Sequence, residues 1–330
     1  MEKMQKRSIA PVYVAGIVAV ATVSSGAATW AQNYPVKNIT LVVPYPAGGG
    51  TDLFARAIAQ DMGRQFEKQF VIDNRSGASG NIGAEAVARA APDGYTLLYT
   101  ASPIAVSKVL SKDLHFDAQR DLRPLSMAIS IPLFLVVHPS LPVKNVRELI
   151  ALAKARPGTL TYSSSGVGAS GHFTMELLNA KTSIDTRHVP YRGAAPALTA
   201  VISGEVQMAF LVPPLIMQHL PNNKLRVLGV SSLKRSAVLP DVATLQEQGV
   251  QGYEALQWHG FFAPAATPEA VLKALYGAVV KALARPELKS RLAAEGADVV
   301  GSTPEDFAAY FQREIVKWTD VAKRAGIQPQ

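Results

Sequence analysis

The glycine-rich segment of residues 45–52 is the first place where residue types and spacing suggest binding chemistry. It reads Tyr-Pro-Ala-Gly-Gly-Gly-Thr-Asp and lies between a predicted strand and a predicted helix. Adjacent glycines let the backbone approach a ligand closely, and the free amide groups at the start of a helix attract anions. The segment therefore predicts a site for a carboxylate or a phosphate. Because it lacks both Gly-Lys-Ser/Thr and the GxGxxG spacing, a nucleotide is disfavoured.

A second loop of the same kind, residues 163–171, is dense in serine and glycine and again precedes a predicted helix. If the two loops face each other across a cleft, two helix N-termini would hold an anionic ligand at both ends without a buried cation. Two simpler interpretations stay open. The first loop could be only a tight turn with Asp52 as the helix cap, and the second only a flexible polar linker.

An enzymatic interpretation has less support. Ser164, His172 and Asp52 supply the residue types of a hydrolase triad. The sequence has no GxSxG elbow, however, and the nearest match, at residues 168–171, does not have its spacing, because Gly171 follows Ser170 directly. The six histidines are scattered without an HExxH motif, and cysteine is absent. We therefore predict no catalysis, no metal and no cofactor.

The elements that must position the two loops alternate between strands and helices. Near-continuous apolar runs predict buried strands, and apolar residues at helical spacing predict helices between them. This alternation predicts a parallel, doubly wound α/β arrangement. The predicted strands are residues 39–43, 70–73, 96–99, 160–163, 187–189, 206–210 and 225–230, and the predicted helices include 81–90, 143–155, 172–180, 195–202, 269–284, 287–295 and 305–325.

Two segments interrupt the alternation and predict crossings between domains. Residues 122–138 contain two apolar stretches joined through Pro132, and residues 253–264 contain a run of aromatic residues. Two α/β domains joined by two crossings make a hinge and a cleft. A length of 330 residues is sufficient for two cores. We predict a discontinuous first domain, residues 32–128 and 257–330, and a second domain, residues 129–256.

The N-terminus has the pattern of a cleavable secretory signal. Lys3, Lys6 and Arg7 precede an apolar stretch, residues 9–23, which is followed by small residues. The stretch is shorter than the roughly 20 residues needed to cross a bilayer. We therefore predict a signal peptide at residues 1–31, cleaved after Ala31, and a mature protein outside the cytoplasmic membrane. An uncleaved membrane anchor is the alternative.

The composition argues against nucleic acid as a partner. The chain carries 33 Lys and Arg against 25 Asp and Glu, which is a formal net charge of +8. The basic residues are spread along predicted helices and alternate with acidic ones, as on solvated helix faces. The charge therefore predicts no nucleic-acid site.

Ordered motifs across nearly the whole chain allow a more specific prediction. They include Pro-Tyr-Pro-Ala-Gly-Gly-Gly-Thr-Asp at 44–52, Asn-Arg-Ser-Gly-Ala at 74–78, Pro-Asp-Gly-Tyr-Thr-Leu-Leu at 92–98, Ser-Ser-Gly-Val-Gly at 164–168, His-Val-Pro-Tyr-Arg-Gly at 188–193 and Trp-His-Gly at 258–260. In these motifs the sequence resembles the substrate-binding proteins of tripartite tricarboxylate transporters, also called the Bug family. Each motif alone is weak evidence, and the resemblance rests on their order and number.

The resemblance implies a periplasmic binding protein of the type II-like fold, with two doubly wound α/β domains joined by two crossover segments and a ligand cleft between them. Such a receptor closes on a small di- or tricarboxylate-like anion and delivers it to the permease subunits of the transporter. We expect a monomer. A sensor that reports to a signalling kinase needs the same closing cleft, so this alternative stays open. The serine-type hydrolase is the third possibility.

The resemblance also implies how the ligand is held. In the family, backbone amides of the first glycine loop and ordered waters hold a ligand carboxylate, and one water is fixed by the aspartate that matches Asp52. Two positions depart from the family pattern. The family often has serine where this chain has Ala169, and the neighbouring Ser170 can supply the missing hydroxyl. The family often has lysine where this chain has Arg192, and the arginine keeps the charge but changes its geometry. The predicted ligand contacts are Tyr45, Ala47, Gly48, Gly49, Thr51, Asp52, Ser76, Ala78, Gly80, Asn81, Ser102, Ser164, Ser165, Gly168, Ala169, Ser170, His172, Tyr191 and Arg192.

Overall fold

A computed structural model describes residues 34–329 of the chain. The predicted signal peptide lies outside these residues. The strands, numbered in chain order, are β1 Ile39–Val43, β2 Phe70–Asn74, β3 Thr96–Ala101, β4 Leu122–Pro132, β5 Phe134–Val137, β6 Thr161–Ser164, β7 Arg187–Pro190, β8 Met208–Leu211, β9 Arg226–Val230, β10 Leu256–Pro264 and β11 Asp298–Val299. The α-helices are α1 Gly50–Phe66, α2 Asn81–Ala88, α3 Ser107–Leu110, α4 Ala118–Asp121, α5 Val146–Ala155, α6 Ser170–Thr182, α7 Ala194–Ile202, α8 Pro213–Ile216, α9 Glu269–Leu283, α10 Pro286–Ala294 and α11 Pro304–Arg324.

The first sheet contains six strands in the order β11-β4-β10-β3-β1-β2. Strand β1 is parallel to both of its neighbours, and Leu41 lies opposite Ile72 on one side and Leu97 on the other. Its side chains enter two cores, because Leu41 packs with the cluster on one face and Val42 with the cluster on the other. A strand that is buried on both faces has the near-continuous apolar sequence seen here. We call this sheet with its helices the first lobe.

The second sheet contains five strands in the order β7-β6-β8-β5-β9, and with its helices it forms the second lobe. Strand β6 is parallel to β7 and β8, whereas β5 is antiparallel to β8 and β9. Helix α6 follows β6 and helix α7 follows β7, so the βα order of the first lobe is repeated.

The chain passes between the lobes twice, as the sequence predicts. Only Leu133 separates β4 in the first sheet from β5 in the second, and the chain returns from β9 to β10. The predicted α/β class with two crossover segments is confirmed. The exact limits of the two domains stay a prediction.

The expectation of parallel sheets is correct only for part of each sheet. Strand β10 runs antiparallel to β3 and β4, and β5 runs antiparallel to β8 and β9. The parallel strands are joined within one lobe by helical crossovers, which require a common direction. Strands β5 and β10 instead enter from the other lobe, so no βαβ crossover sets their direction.

The C-terminal helix α11 connects the lobes. Its side chains Phe307 and Phe311 pack on Trp258 of β10, whereas Trp318 meets Phe173 of α6 edge-on at 5.7 Å between ring centroids. Helix α11 is amphipathic, and its apolar side is divided between the two lobes. Within residues 34–329, no helix is both long and apolar enough to cross a membrane.

Candidate functional site

The first glycine loop joins β1 to α1. Gly48 adopts a φ of +79°, in the left-handed region that favours glycine, and the amide of Gly49 donates to the carbonyl of Pro46 at 3.3 Å. This turn leads directly into α1, whose N-cap residue is Gly49. A glycine has no side chain to accept hydrogen bonds from the first helical amides, so these amides are open to an anion.

Asp52 lies below this loop and is 1% exposed. One carboxylate oxygen accepts from the Gly48 amide and from Arg56 Nε, both at 2.9 Å, and the other accepts from Asn74 Nδ2 at 3.0 Å. Burial raises the pKa of Asp52, but the hydrogen bonds from Arg56, Gly48 and Asn74 outweigh it and hold the pKa below its ordinary value. Asn74 Nδ2 also donates to the carbonyl of Tyr45 at 3.1 Å. Asp52 and Asn74 therefore fix both ends of the loop.

The second loop joins β6 to α6. Gly168 has a φ of +84°, in the region that favours glycine, and a Cβ atom there would lie 2.3 Å from Leu110 Cδ1 of the first lobe. The hydroxyl of Ser164 donates to the carbonyl of Gly166 at 2.9 Å, and the Gly168 amide donates to His172 Nδ1 at 3.2 Å. The loop is therefore held in a single shape by its own side chains, which argues against a flexible linker.

Two histidines support the second loop from behind. The rings of His172 and His188 stack with centroids 3.9 Å apart and planes 10° apart, and His188 Nε2 lies 2.7 Å from Ser164 Oγ. Burial, with a smaller contribution from neighbouring His188, lowers the pKa of His172 to about 3. Burial lowers the pKa of His188 to about 4. Both rings are therefore neutral near pH 7, which allows them to stack without charge repulsion.

The residues of the hydrolase triad do not assemble. Ser164 pairs with His188 instead of His172, and Asp52 of the first lobe is bonded to Arg56, Asn74 and Gly48. Ser164 is 2% exposed and is not on the wall of the cleft described below. Each of the three side chains supports a loop rather than a reaction centre.

The lowered histidine pKa values predict a loss of stability in mild acid. A histidine with a folded pKa below its unfolded value of about 6.5 contributes stability that is fully present above pH 6.5 and is lost as the pH falls toward the folded pKa. The maximum slope is about 1.4 kcal/mol per pH unit for each histidine. Glu176 acts in the opposite sense, because burial raises its pKa.

The measurement that isolates the histidines compares the parent protein with His172→Gln by urea unfolding between pH 7.5 and pH 4.5. Gln can still accept from the Gly168 amide but does not titrate. We expect the free energy of unfolding to fall less steeply with decreasing pH in the variant. Equal slopes would contradict the assignment.

A cleft of about 530 Å³ lies between the two loops. Both lobes contribute to its wall, and their hydroxyls meet at its edge, where Ser102 Oγ and Ser170 Oγ are 3.3 Å apart. The residues lining the cleft are Tyr45, Pro46, Thr51, Ser79, Ala101, Pro103, Leu133, Ser165, Gly166, Val167, Gly168, Ala169, Ser170, Gly171, Gly193, Ala194, Phe210, Leu211, Val212, Leu215 and Gln257.

Three helices begin at this cleft. The first or second residue of each lies on the wall, namely Thr51 of α1, Ser170 of α6 and Ala194 of α7. Their N-cap residues, Gly49, Ala169 and Gly193, provide no side-chain cap. Side-chain caps occur at α4, α5 and α11, whereas α2, α9 and α10 also lack one, so the three helices at the cleft are distinguished by where they begin. The helices at the cleft thus keep their N-terminal amides available for a ligand.

The structure brings six of the predicted contacts onto this wall: Tyr45, Thr51, Ser165, Gly168, Ala169 and Ser170. The remaining predicted residues are not lining residues. Those that are buried are Asp52, Gly80, Asn81, Ser102, Ser164 and His172, and those that are exposed are Ala47, Gly48, Gly49, Ser76, Ala78 and Arg192. Half-buried Tyr191 turns its hydroxyl to Glu205 at 2.8 Å, and Asn81 accepts from Ser107 Oγ at 2.7 Å. The assignment of all these residues as ligand contacts stays a prediction.

Sequence reasoning did not find the apolar part of the wall. Phe210, Leu211 and Val212 come at the end of β8, and Leu215 follows in α8. Their pattern is that of an ordinary buried strand. The available signal was their position, because ligands of α/β sheets bind beyond the carboxyl ends of strands.

The family model described as tripartite tricarboxylate transporter family receptor matches residues 54–327. The UPF0065 protein in the tcbD-tcbE intergenic region of a Pseudomonas species is 36% identical over 306 residues, which cover 92% of this chain and 91% of that protein.

Two solved structures from R. palustris are similar over most of this chain. One, determined with adipate, is 36% identical and covers 90% of this chain and 100% of its own, with a TM-score of 0.77. The other is MatC with bound malate, which is 31% identical and covers 87% of this chain and 99% of its own, with a TM-score of 0.73.

Proposed function

This chain belongs to the tripartite tricarboxylate transporter family of receptors, and we propose that it captures a small organic carboxylate in the cleft between its lobes and delivers it to the permease of such a transporter. The observation that carries the proposal is the convergence of three helix N-termini without side-chain caps on one cleft. Amide groups arranged in this way bind an anionic oxygen without a neighbouring cation. The ligands of the two R. palustris relatives, adipate and malate, are both carboxylates.

The proposed contacts divide into two groups. Thr51, Ser165 and Ser170 lie on the wall and offer hydroxyl groups, Gly168 and Ala169 offer backbone, and Tyr45 lies on the wall with its hydroxyl buried. Asp52, Ser164 and His172 instead hold the loops in place through the hydrogen bonds described above. A carboxylate placed against Asp52 would be repelled, so the role of Asp52 is to position the Gly48 amide and any water that bridges to the ligand.

Binding requires the lobes to separate and close. The contact between Ser102 and Ser170 and the fit of Gly168 against Leu110 join the lobes at the edge of the cleft. The two chain crossings next to the cleft are the natural hinge, because the remaining contacts between lobes are side-chain contacts that can separate. We propose that the lobes are the two predicted domains, with the first limit at Leu133 instead of 128/129, which would divide β4, and the second just before β10 instead of 256/257.

The location follows from the same proposal. A receptor for a membrane permease must meet its ligand outside the cytoplasmic membrane, in the periplasm. We propose that residues 1–31 direct export and are removed. Mature protein recovered from the periplasm with Gln32 as its first residue would agree with this.

The proposed function is tested by a thermal-shift screen against a panel of carboxylates, with small-angle scattering on any that bind. A ligand that binds only the folded state at about 100 times its Kd adds about 2.7 kcal/mol to the free energy of unfolding and raises the Tm. We expect at least one carboxylate to do so and the scattering radius to fall as the lobes close. Chromatography of the recovered ligand would reveal turnover if the protein were a hydrolase. A panel in which no carboxylate raises the Tm would contradict the proposal.

A further inference from the structure

The wall of the cleft combines two features that restrict the ligand beyond its carboxylate. Among the described residues that line the cleft, none is Asp, Glu, Lys, Arg or His. Arg192, the neighbour of the lining residue Gly193, is exposed and is not part of the wall. The described wall itself therefore offers an anion backbone amides and neutral polar side chains only.

The helix N-termini can compensate only a limited negative charge. Each is equivalent to about half a positive charge, so the three at the cleft together offset about one to two carboxylates. A tricarboxylate would leave at least one carboxylate without compensation. Taking an ionised carboxylate out of water without a partner is strongly unfavourable.

The second feature is an apolar surface on the second lobe. Leu133, Phe210, Leu211, Val212 and Leu215 form one side of the cleft. Of these, Leu133, Phe210 and Leu211 are nearly buried, so they are held by the core of the lobe. Val212 and Leu215 are half-buried and reach the cleft from the end of β8 and from α8. A ligand body placed against them gains from the removal of apolar surface from water, and a hydroxyl in the same place loses its hydrogen bonds.

From these two features we infer that the cleft selects carboxylates with an unsubstituted apolar carbon body over hydroxylated carboxylates and tricarboxylates, and that Val212 and Leu215 determine this preference. The inference rests on the proposed function, since it names the ligand class of the same site. The carboxylate is bound at the helix N-termini, and the carbon body lies along the apolar surface. Ala169, whose methyl group adds to the wall of the second loop, contributes to the same preference.

The test is calorimetry with adipate, galactarate and citrate. Adipate and galactarate have the same six-carbon chain and the same two carboxylates, but galactarate carries a hydroxyl on each inner carbon. We expect adipate to bind about 100-fold more tightly than galactarate, because an apolar pocket discriminates against added hydroxyls by about this factor. Citrate should bind more weakly than adipate.

Two near-isosteric variants test whether Val212 and Leu215 determine the preference. In Val212→Thr and Leu215→Asn, we expect the ratio of adipate to galactarate affinity to fall by about 10-fold, since each places a polar group on the apolar surface. Val316→Thr makes the same change on α11 at a side chain that is 60% exposed, and this control should leave the ratio unchanged. If Leu215→Asn fails to fold, the affinity ratio measured with Val212→Thr alone tests the inference.

The outcomes separate this inference from the proposed function. Galactarate or citrate binding as tightly as adipate would overturn the inference and leave a carboxylate receptor intact. An unchanged ratio in folded Val212→Thr would remove that residue from the selectivity and overturn its assignment. If none of the three acids bound, and none of the wider carboxylate panel raised the Tm, the proposed function itself would fail.

Discussion

Replacing Asp52 by alanine is expected to weaken carboxylate binding by about 10- to 100-fold, which corresponds to about 1.4 to 2.8 kcal/mol. The carboxylate of Asp52 accepts hydrogen bonds from the Gly48 amide, Arg56 and Asn74. Without it, the Gly48 amide loses its attachment to α1, and only the bond from Asn74 to the Tyr45 carbonyl still holds the loop to β2. The amides that face the ligand are then less well positioned. Asp52 is buried, but Gly48 is exposed and the Arg56 side chain is 48% exposed, so water can replace these partners and the loss of stability should stay near the lower end of about 1–3 kcal/mol.

A matched control exists on the same helix. Asp61 is also buried, at 8% exposure, and pairs with Arg64 on α1 at 2.9 Å, much as Asp52 pairs with Arg56. Asp61 is not among the residues lining the cleft. We expect Asp61→Ala to lower the melting temperature but to leave the ligand affinity unchanged.

A conservative variant distinguishes positioning from charge. Asp52→Asn retains an oxygen that can accept from the Gly48 amide, so it should recover most of the affinity lost in Asp52→Ala. Calorimetry with the bound carboxylate measures the affinity of folded Asp52→Ala and Asp52→Asn. Full affinity in Asp52→Ala would show that the loop does not depend on this network.

The largest effect on stability is expected at Glu314, which is 2% exposed in helix α11. One of its oxygens accepts from two indoles, Trp258 Nε1 at 3.2 Å and Trp318 Nε1 at 2.8 Å, and the other pairs with Lys317. Glu314→Ala would leave both buried indole N–H groups without an acceptor. A buried donor left without an acceptor costs about 1–3 kcal/mol, so for the two indoles we expect the free energy of unfolding to fall by about 2–6 kcal/mol.

The same helix offers the control for this prediction. Asp320 and Arg324 form an ion pair at 2.9 Å, but both side chains are more than half exposed. Asp320→Ala should therefore change stability by less than about 1 kcal/mol. Glu314→Gln keeps an acceptor for the indoles and should fall between the two. Urea unfolding followed by circular dichroism measures all three, and a Glu314→Ala protein as stable as Asp320→Ala would refute the prediction.

The sequence was most informative where one short segment determines one element. The continuous apolar run of β1 predicts its limits, 39–43, as they are found. Prolines locate the starts of α10 and α11 within one residue, since Pro fits the first turn of a helix. Helix α6 begins at Ser170, two residues before its predicted start, so Ser170 and Gly171, which were assigned to the loop, belong to the first turn of the helix.

What could not be predicted depends on residues that are distant in the chain. The antiparallel direction of β5 and β10 follows from the path between lobes, which no local pattern records. The apolar side of the cleft joins Leu133 to Phe210 and Leu215, and each of these has the sequence context of a core residue. The binding loops were recognisable because their glycines and serines are contiguous. The hydrogen bonds that occupy both oxygens of Asp52 could not be recognised from the sequence, because they depend on Arg56 and Asn74 coming together.

The wall without charged side chains has a consequence for how the receptor responds to its surroundings. Peptide amides do not gain or lose protons near neutral pH, whereas a histidine or a carboxylate in contact with the ligand would. The affinity for an ionised ligand should therefore stay constant as the external pH changes, until the acid itself is protonated. The stacked histidines behind the second loop support the loop rather than the ligand, and with pKa values of about 3 and about 4 they stay neutral until the medium is strongly acidic. Occupancy of the cleft should then report ligand concentration rather than acidity.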